Sequence, residues 1–164
     1  MSRISRLDYY LNILETVTLR ATCNRGKSGA VLVKDGRVIA TGYVGSPVGA
    51  RHCDDHGHLL ERRQTMRSPG SEAPPVTSEH CIRTVHAEMN AIIQAARFGP
   101  STEGAILYCT MFPCFSCAKV IVNAGIKKVI ALHDYQRSDE SKSLFDEVRI
   151  GWTIEHAGVP PYEE

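Results

Sequence analysis

Apolar positions along this chain alternate between two spacings, and each change of spacing marks an element. In residues 5–22, SRLDYYLNILETVTLRAT, the side chains Leu7, Tyr10, Leu11, Leu14, Val17 and Ala21 recur every three to four positions, which predicts an amphipathic helix. Two β-rich runs follow, Gly29–Val33 and Arg37–Tyr43, flanking Asp35-Gly36. An Asp-Gly link predicts a hairpin, because both turn positions favour positive φ. Residues 44–80 lose all periodicity and are rich in Gly, Pro and Ser, so a long loop is expected, with a short helical piece at Leu59–Met66. A loop of that length inside a compact domain is uncommon unless it is functional or tied down. Helical spacing resumes at Thr84 and runs through VHAEMNAIIQAARFG, stopped by Gly99-Pro100. Then come a strand at Ala105–Cys109, a helix opened by Pro113 and closed by Gly125, a strand at Lys128–Leu132, a helix at Ser141–Val148 and a strand at Trp152–His156. This alternation predicts an α/β fold, a mixed sheet with helices on its faces, and shows no internal repeat.

Composition adds limits. The 164 residues, 43% hydrophobic and 23% charged, suit one globular domain over residues 1–164, with 44–80 as a loop insertion. The opening MSRISRLDYYLNILE holds no apolar run of signal-peptide length, and no segment approaches a membrane span, so a soluble, cytoplasmic protein with no membrane partner is expected. The net charge is +1 and the basic residues are dispersed, which argues against a polynucleotide partner and leaves room for a small anion.

In a reducing compartment cysteines serve as metal ligands, reactive thiols or small core residues. Cys114 and Cys117 lie three apart at the start of a predicted helix, where they share a face and where the helix dipole favours thiolate. His86 opens the preceding helix. Together these three make an N,S,S ligand set suited to zinc, with the open fourth position of a catalytic site. Zinc lowers the pKa of bound water from ~16 towards ~7. Glu88, two residues past His86, is placed to shuttle a proton without ligating. A lone CxxC would equally suit a redox pair or half a zinc knuckle; it is the combination with His-x-Glu and the preceding Pro113 that points to catalysis. GxGxxG is absent, which removes an NAD or flavin reading.

His86-Ala-Glu-Met-Asn-Ala-Ile92 and Pro113-Cys-Phe-Ser-Cys-Ala-Lys119 resemble the cytidine deaminase superfamily and, more narrowly, the deoxycytidylate (dCMP) deaminase family. Asn123–Lys128, Gly29-Ala-Val31 with Asp35-Gly36, and Thr41–Pro47 extend the resemblance over roughly residues 5 to 135. It implies a cytidine-deaminase-like three-layer αβα sandwich with a central mixed five-stranded sheet. It also implies hydrolysis of dCMP to dUMP and ammonia by attack at C4, within pyrimidine deoxynucleotide metabolism and dTMP supply. A homohexamer, activation by dCTP and inhibition by dTTP, with Mg2+ accompanying the effector, follow from the same likeness. The family loop reads GYNGxP, with its Asn on the substrate sugar, whereas this chain has Val44, which offers no donor or acceptor.

Ala87, Thr110, Asn90 and Tyr135 are expected to line the substrate pocket, and Phe112 or Phe115 to stack on the pyrimidine or pack in the core. Candidates for the 5′-phosphate are Arg25, Arg51, Arg137 and Lys142. Cys109 reads as a core residue. The remaining cysteines suggest a second, structural zinc tying down the loop, from Cys23, Cys53 and His80 with Cys81, His58 or His56 as fourth ligand; the alternative is buried thiols and surface histidines. Two other functions stay open: deamination of another nucleotide or nucleobase (tRNA adenosine, guanine, a pterin), and a non-catalytic zinc-binding relative. Glu88 argues against the latter, since metal binding alone does not need it.

Overall fold

The computed structural model describes residues 3–64, 77–135 and 137–156. Its first helix, α1 (Arg6–Thr18), starts where Ser5 Oγ accepts the Asp8 N–H at 3.0 Å, an N-cap that satisfies an otherwise orphaned donor. Strands β1 (Gly29–Lys34) and β2 (Arg37–Tyr43) pair antiparallel. The Asp-Gly turn between them has φ of 50° and 73°, as the sequence predicts. The rest of the core alternates as β5 (Ile106–Met111), α4 (Phe115–Asn123), β6 (Lys128–His133), α5 (Asp139–Glu147) and β7 (Gly151–Ile154). The sheet order is β2-β1-β5-β6-β7, with β1 antiparallel to both neighbours and β5, β6 and β7 parallel.

Alternation along β1 sorts the core into two layers. Val31 and Val33 join Tyr108, Ile130 and Leu132 beneath Tyr10 and Leu14 of α1. Ala30 and Leu32 join Leu107, Cys109, Val129 and Ala131 on the opposite face, which is covered by Ala87, Ala91 and Ala95 of α3 (Ala87–Phe98), Ala118 and Ile121 of α4, and Phe145 of α5. This is the expected three-layer αβα sandwich with a mixed five-stranded sheet. The alanine stripe lets α3 lie close on β2, and Gly42 sets that distance. A Cβ there would run into the Ala87 carbonyl oxygen and the Ala91 backbone nitrogen. Gly42→Ala is therefore expected to push α3 off the sheet at a cost of roughly 1–3 kcal/mol. At ~2–4 °C per kcal/mol for a chain of this size, a thermal melt should register it. An unchanged Tm would mean that the helix is free to shift.

The loop expected over 44–80 differs from its sequence reading. The helical piece expected at Leu59–Met66 is a strand, β3 (Leu60–Gln64), paired antiparallel with β4 (Thr77–Cys81); Thr65 and Met66 lie outside the described residues. Leu-Glu-Arg-Arg-Gln has good helix propensity, but pairing with Thr77–Cys81 satisfies its backbone, and tertiary context overrides a weak local preference. The helix in this region is instead α2 (Cys53–His56), a single turn.

Candidate metal centre and active site

Helices α3 and α4 both begin at an expected ligand. His86 is the N-cap of α3, and Cys114 is the N-cap of α4, with Cys117 in its first turn. Strand β5 joins the two helices, so their N-termini converge, and His86, Cys114 and Cys117 are brought together as the sequence predicts. His86 Nδ1 lies 3.6 Å from Cys114 Sγ and 3.4 Å from Cys117 Sγ. A tetrahedral zinc, about 2.3 Å from sulfur and about 2.0–2.1 Å from nitrogen, sets such donors ~3.6 Å apart, so this set fits the ion. Donation from the Cys117 thiol, aided by His86 and opposed by burial, pulls the Cys114 thiol down to about 4. The Cys117 thiol is raised, first by its bond to Cys114 and then by burial. Cys114 is thus held as thiolate, the form that binds metal, with the Cys117 thiol donating to it.

Glu88, in the first turn of α3, is only 5% exposed. Burial lifts its carboxyl above the usual range, opposed by the charge of His86. A carboxyl that holds its proton more readily than an exposed one suits proton transfer near neutral pH. Cys109 is fully buried on the same face of the sheet, its thiol pushed up by burial and by Glu88, as fits a core residue.

The other expected pocket residues divide. Ala87 is wholly buried at the start of α3. The Asn90 amide donates to the Tyr43 carbonyl at 2.8 Å and the Val85 carbonyl at 3.4 Å, binding the end of β2 to the approach to α3. Tyr135 packs half-buried against the core beyond β6. Thr110 is corrected: its hydroxyl lies 2.9 Å from Thr18 Oγ1 of α1 and accepts the Gly29 N–H at 3.0 Å. Alternation in β5 sends it with Tyr108 to the α1 face, while Leu107 and Cys109 face the helices that hold the metal ligands. Phe112 is 1% exposed and packs edge-on against Phe145 and Trp152, so it is core; Phe115 is half-exposed under Lys119. Lys142 donates to Asp134 Oδ2 at 2.8 Å, and Arg25 donates to the Glu79 carbonyl at 3.3 Å, so both phosphate candidates are engaged elsewhere. Arg51 and Arg137 are exposed. Val44 is buried, its backbone bonded to Ser28 and Thr22.

A second donor cluster holds Cys23, Cys53, His58 and Cys81. The Cys53 and Cys81 sulfurs are 3.6 Å apart, and Cys23 Sγ is 3.6 Å from His58 Nδ1, again the separations of tetrahedral zinc. Burial pushes the Cys23 thiol up, and burial with its two cysteine neighbours lifts Cys53 to about 12. Burial also acts upward on Cys81, but N–H groups of Arg83 and Leu59 and the other two thiols outweigh it and lower the group. The expected His80 is replaced by His58. His80 precedes Cys81 in β4, and adjacent strand residues face opposite sides, so one register cannot bring both to the cluster. His56 and both aspartates of α2 stay outside it, exposed. Sequence reasoning ranked His58 below His80, and its only signal was proximity to Cys53.

Residues 4–133 match the cytidine and deoxycytidylate deaminase zinc-binding region. ComE operon protein 2 of Bacillus subtilis is 41% identical over 155 residues, covering 94% of this chain and 72% of that protein. Deoxycytidylate deaminase of Enterobacteria phage T2 is 36% identical over 172 residues, covering 92% and 90%. The crystal structure of dCMP deaminase from the cyanophage S-TIM5 in complex with dCMP and dUMP superposes with a TM-score of 0.69 at 26% identity, covering 94% of this chain and 99% of that one.

Proposed function

This chain belongs to the cytidine and deoxycytidylate deaminase zinc-binding family, and from that premise we infer that it is a hydrolase converting dCMP and water to dUMP and ammonia. One arrangement supports the reading above others: a His-Cys-Cys donor set with zinc spacing beside a buried carboxyl with a raised pKa. His86, Cys114 and Cys117 would hold a zinc ion, which would supply the Lewis acidity that brings the pKa of water near neutrality. Glu88 would take one proton from the attacking water and pass it to the pyrimidine ring nitrogen, then take the proton of the new C4 hydroxyl as it becomes the carbonyl and pass it to the amine that departs as ammonia. The Ala87 N–H, at the positive end of α3, is assigned to the base carbonyl. Asn90 acts by fixing the pocket wall, and Tyr135 borders the sugar.

The second cluster is assigned a structural zinc that ties Cys23, beyond α1, to α2 and the β3–β4 ribbon, which alone would be marginal. The chain is read as a single deaminase domain, cytoplasmic; no helix among the described residues is long and apolar enough to cross a membrane. By family likeness it assembles as a homohexamer, with dCTP activating, dTTP inhibiting and Mg2+ accompanying them. Incubation with dCMP, CMP, deoxycytidine, guanine and tRNA, followed by ammonia release, tests the reaction. Preferential turnover of dCMP is expected. No turnover of any of them with zinc present would remove the enzyme, and turnover of guanine or tRNA alone would reassign it.

A further inference from the structure

Asp134 takes no part in the chemistry described above, yet three donors converge on its carboxylate. The Tyr135 N–H reaches Oδ1 at 2.8 Å and the Ser138 hydroxyl reaches it at 2.7 Å, while Lys142 Nζ reaches Oδ2 at 2.8 Å. Ser138 is the N-cap of α5 and only 2% exposed, but its hydroxyl serves Asp134 and makes no bond to the helix it caps. The fold thus forgoes a stabilising cap in order to hold this carboxylate. Burial acts to raise the Asp134 carboxyl, but donation from Lys142, Ser138 and the Tyr135 N–H outweighs it and lowers the group. An isolated surface ion pair contributes little to stability, so the stability of the pair alone does not account for this arrangement.

The position of the pair does. Lys142 Nζ also lies 5.5 Å from the centre of the Phe112 ring and 5.7 Å from that of Trp152. Phe112 is buried and directly precedes Pro113 and Cys114. Its N–H donates at 2.8 Å to the carbonyl of His133, the residue before Asp134. Strands β5 and β6 are parallel, with Met111 opposite His133, so their carboxyl ends lie side by side. One end leads to Cys114 and the other to Tyr135, and ligands of such sheets sit beyond those ends. Tyr135 packs half-buried against the core layer that also holds Ala87, Cys114 and Cys117. The Asp134–Lys142 pair therefore braces the two strand ends at the corner where they reach the metal cluster.

We propose that Asp134, gripped by Lys142, is a positioning residue that holds Tyr135 at the edge of the active site. This rests on the deaminase reading, with Tyr135 at the sugar. The test measures KM, kcat, zinc content and Tm of the full zinc-loaded chain. It compares wild type with Asp134→Ala, Asp134→Asn, Lys142→Met and Tyr135→Ala, and combines each Asp134 change with Tyr135→Ala. In Asp134→Ala the KM for dCMP is expected to rise about 10-fold while kcat falls far less and zinc stays bound. Asp134→Asn keeps an acceptor for Tyr135 and Ser138 and loses the charge that faces Lys142, so it and Lys142→Met should fall between. With Tyr135→Ala already in place, either Asp134 change should leave KM where Tyr135→Ala alone puts it, because the ring being positioned is gone. Wild-type KM in a folded Asp134→Ala or Asp134→Asn enzyme, or in Tyr135→Ala, would overturn the proposal. So would equal rises of KM with and without Tyr135, or a loss carried by kcat and zinc, which would make Asp134 merely structural. A wild type that turns over no nucleotide would remove the deaminase reading instead. Calorimetric dCMP affinity that depends on Asp134 only while Tyr135 is present would then still support the positioning role, and affinity without that dependence would overturn it.

Discussion

Glu88→Gln is expected to lower kcat for dCMP by about 10²–10⁴-fold while leaving zinc content unchanged. Glutamine keeps the volume of a side chain that is 5% exposed, so packing at the start of α3 survives. It has no proton to accept or return, so attack on C4 and departure of ammonia both lose their relay. The donor geometry separates this role from ligation. His86, Cys114 and Cys117 form a cluster at zinc spacing that does not include the Glu88 carboxylate. Metal analysis alongside the assay decides between the two roles, since zinc lost from the variant would make Glu88 a ligand, and activity retained at wild-type level would move the proton relay elsewhere.

Cys53→Ala is expected to remove one of two zinc ions per chain and to lower Tm by roughly 10 °C. Cys53 is 5% exposed and faces Cys81 at 3.6 Å, in a cluster whose members come from the segment after α1, from α2, from the lead into β3 and from β4. A metal there closes a long excursion of the chain and stabilises ribbon and loop together. Losing a ligand removes an estimated ~3–5 kcal/mol, at ~2–4 °C per kcal/mol for a chain of this size. Wild type with one zinc per chain would sink this assignment directly. Two per chain, with Cys53→Ala melting unchanged, would make the ion present but without structural effect.

Much of this architecture was readable in one dimension because its determinants are local. The Asp35-Gly36 turn, the alanine-rich face of α3 and the Gly99 stop each depend on residues within a few positions of one another. The His86, Cys114 and Cys117 donor cluster was readable for a related reason: the two cysteines share a helix face by spacing alone, and His86 opens the helix before the intervening strand. The β3–β4 ribbon escaped because its strand character comes from pairing across a gap in the chain rather than from its own residues. Thr110 was misplaced because short apolar strands alternate strictly, and which parity faces which layer is set by the sheet's neighbours.

Residues Arg51–His58, with one cysteine, two aspartates and three histidines, show where the division falls. Their chemistry was written in their side chains, and a cysteine there was predicted to join a clip to Cys23 and to the end of the loop. The choice of His58 over His80 came only with the fold. Residue type fixes which atoms are able to bind, and helical or strand periodicity fixes the face within one element. Which faces meet across four separate segments is decided by strand register and burial, because a shift of one residue turns a side chain to the other side of its strand.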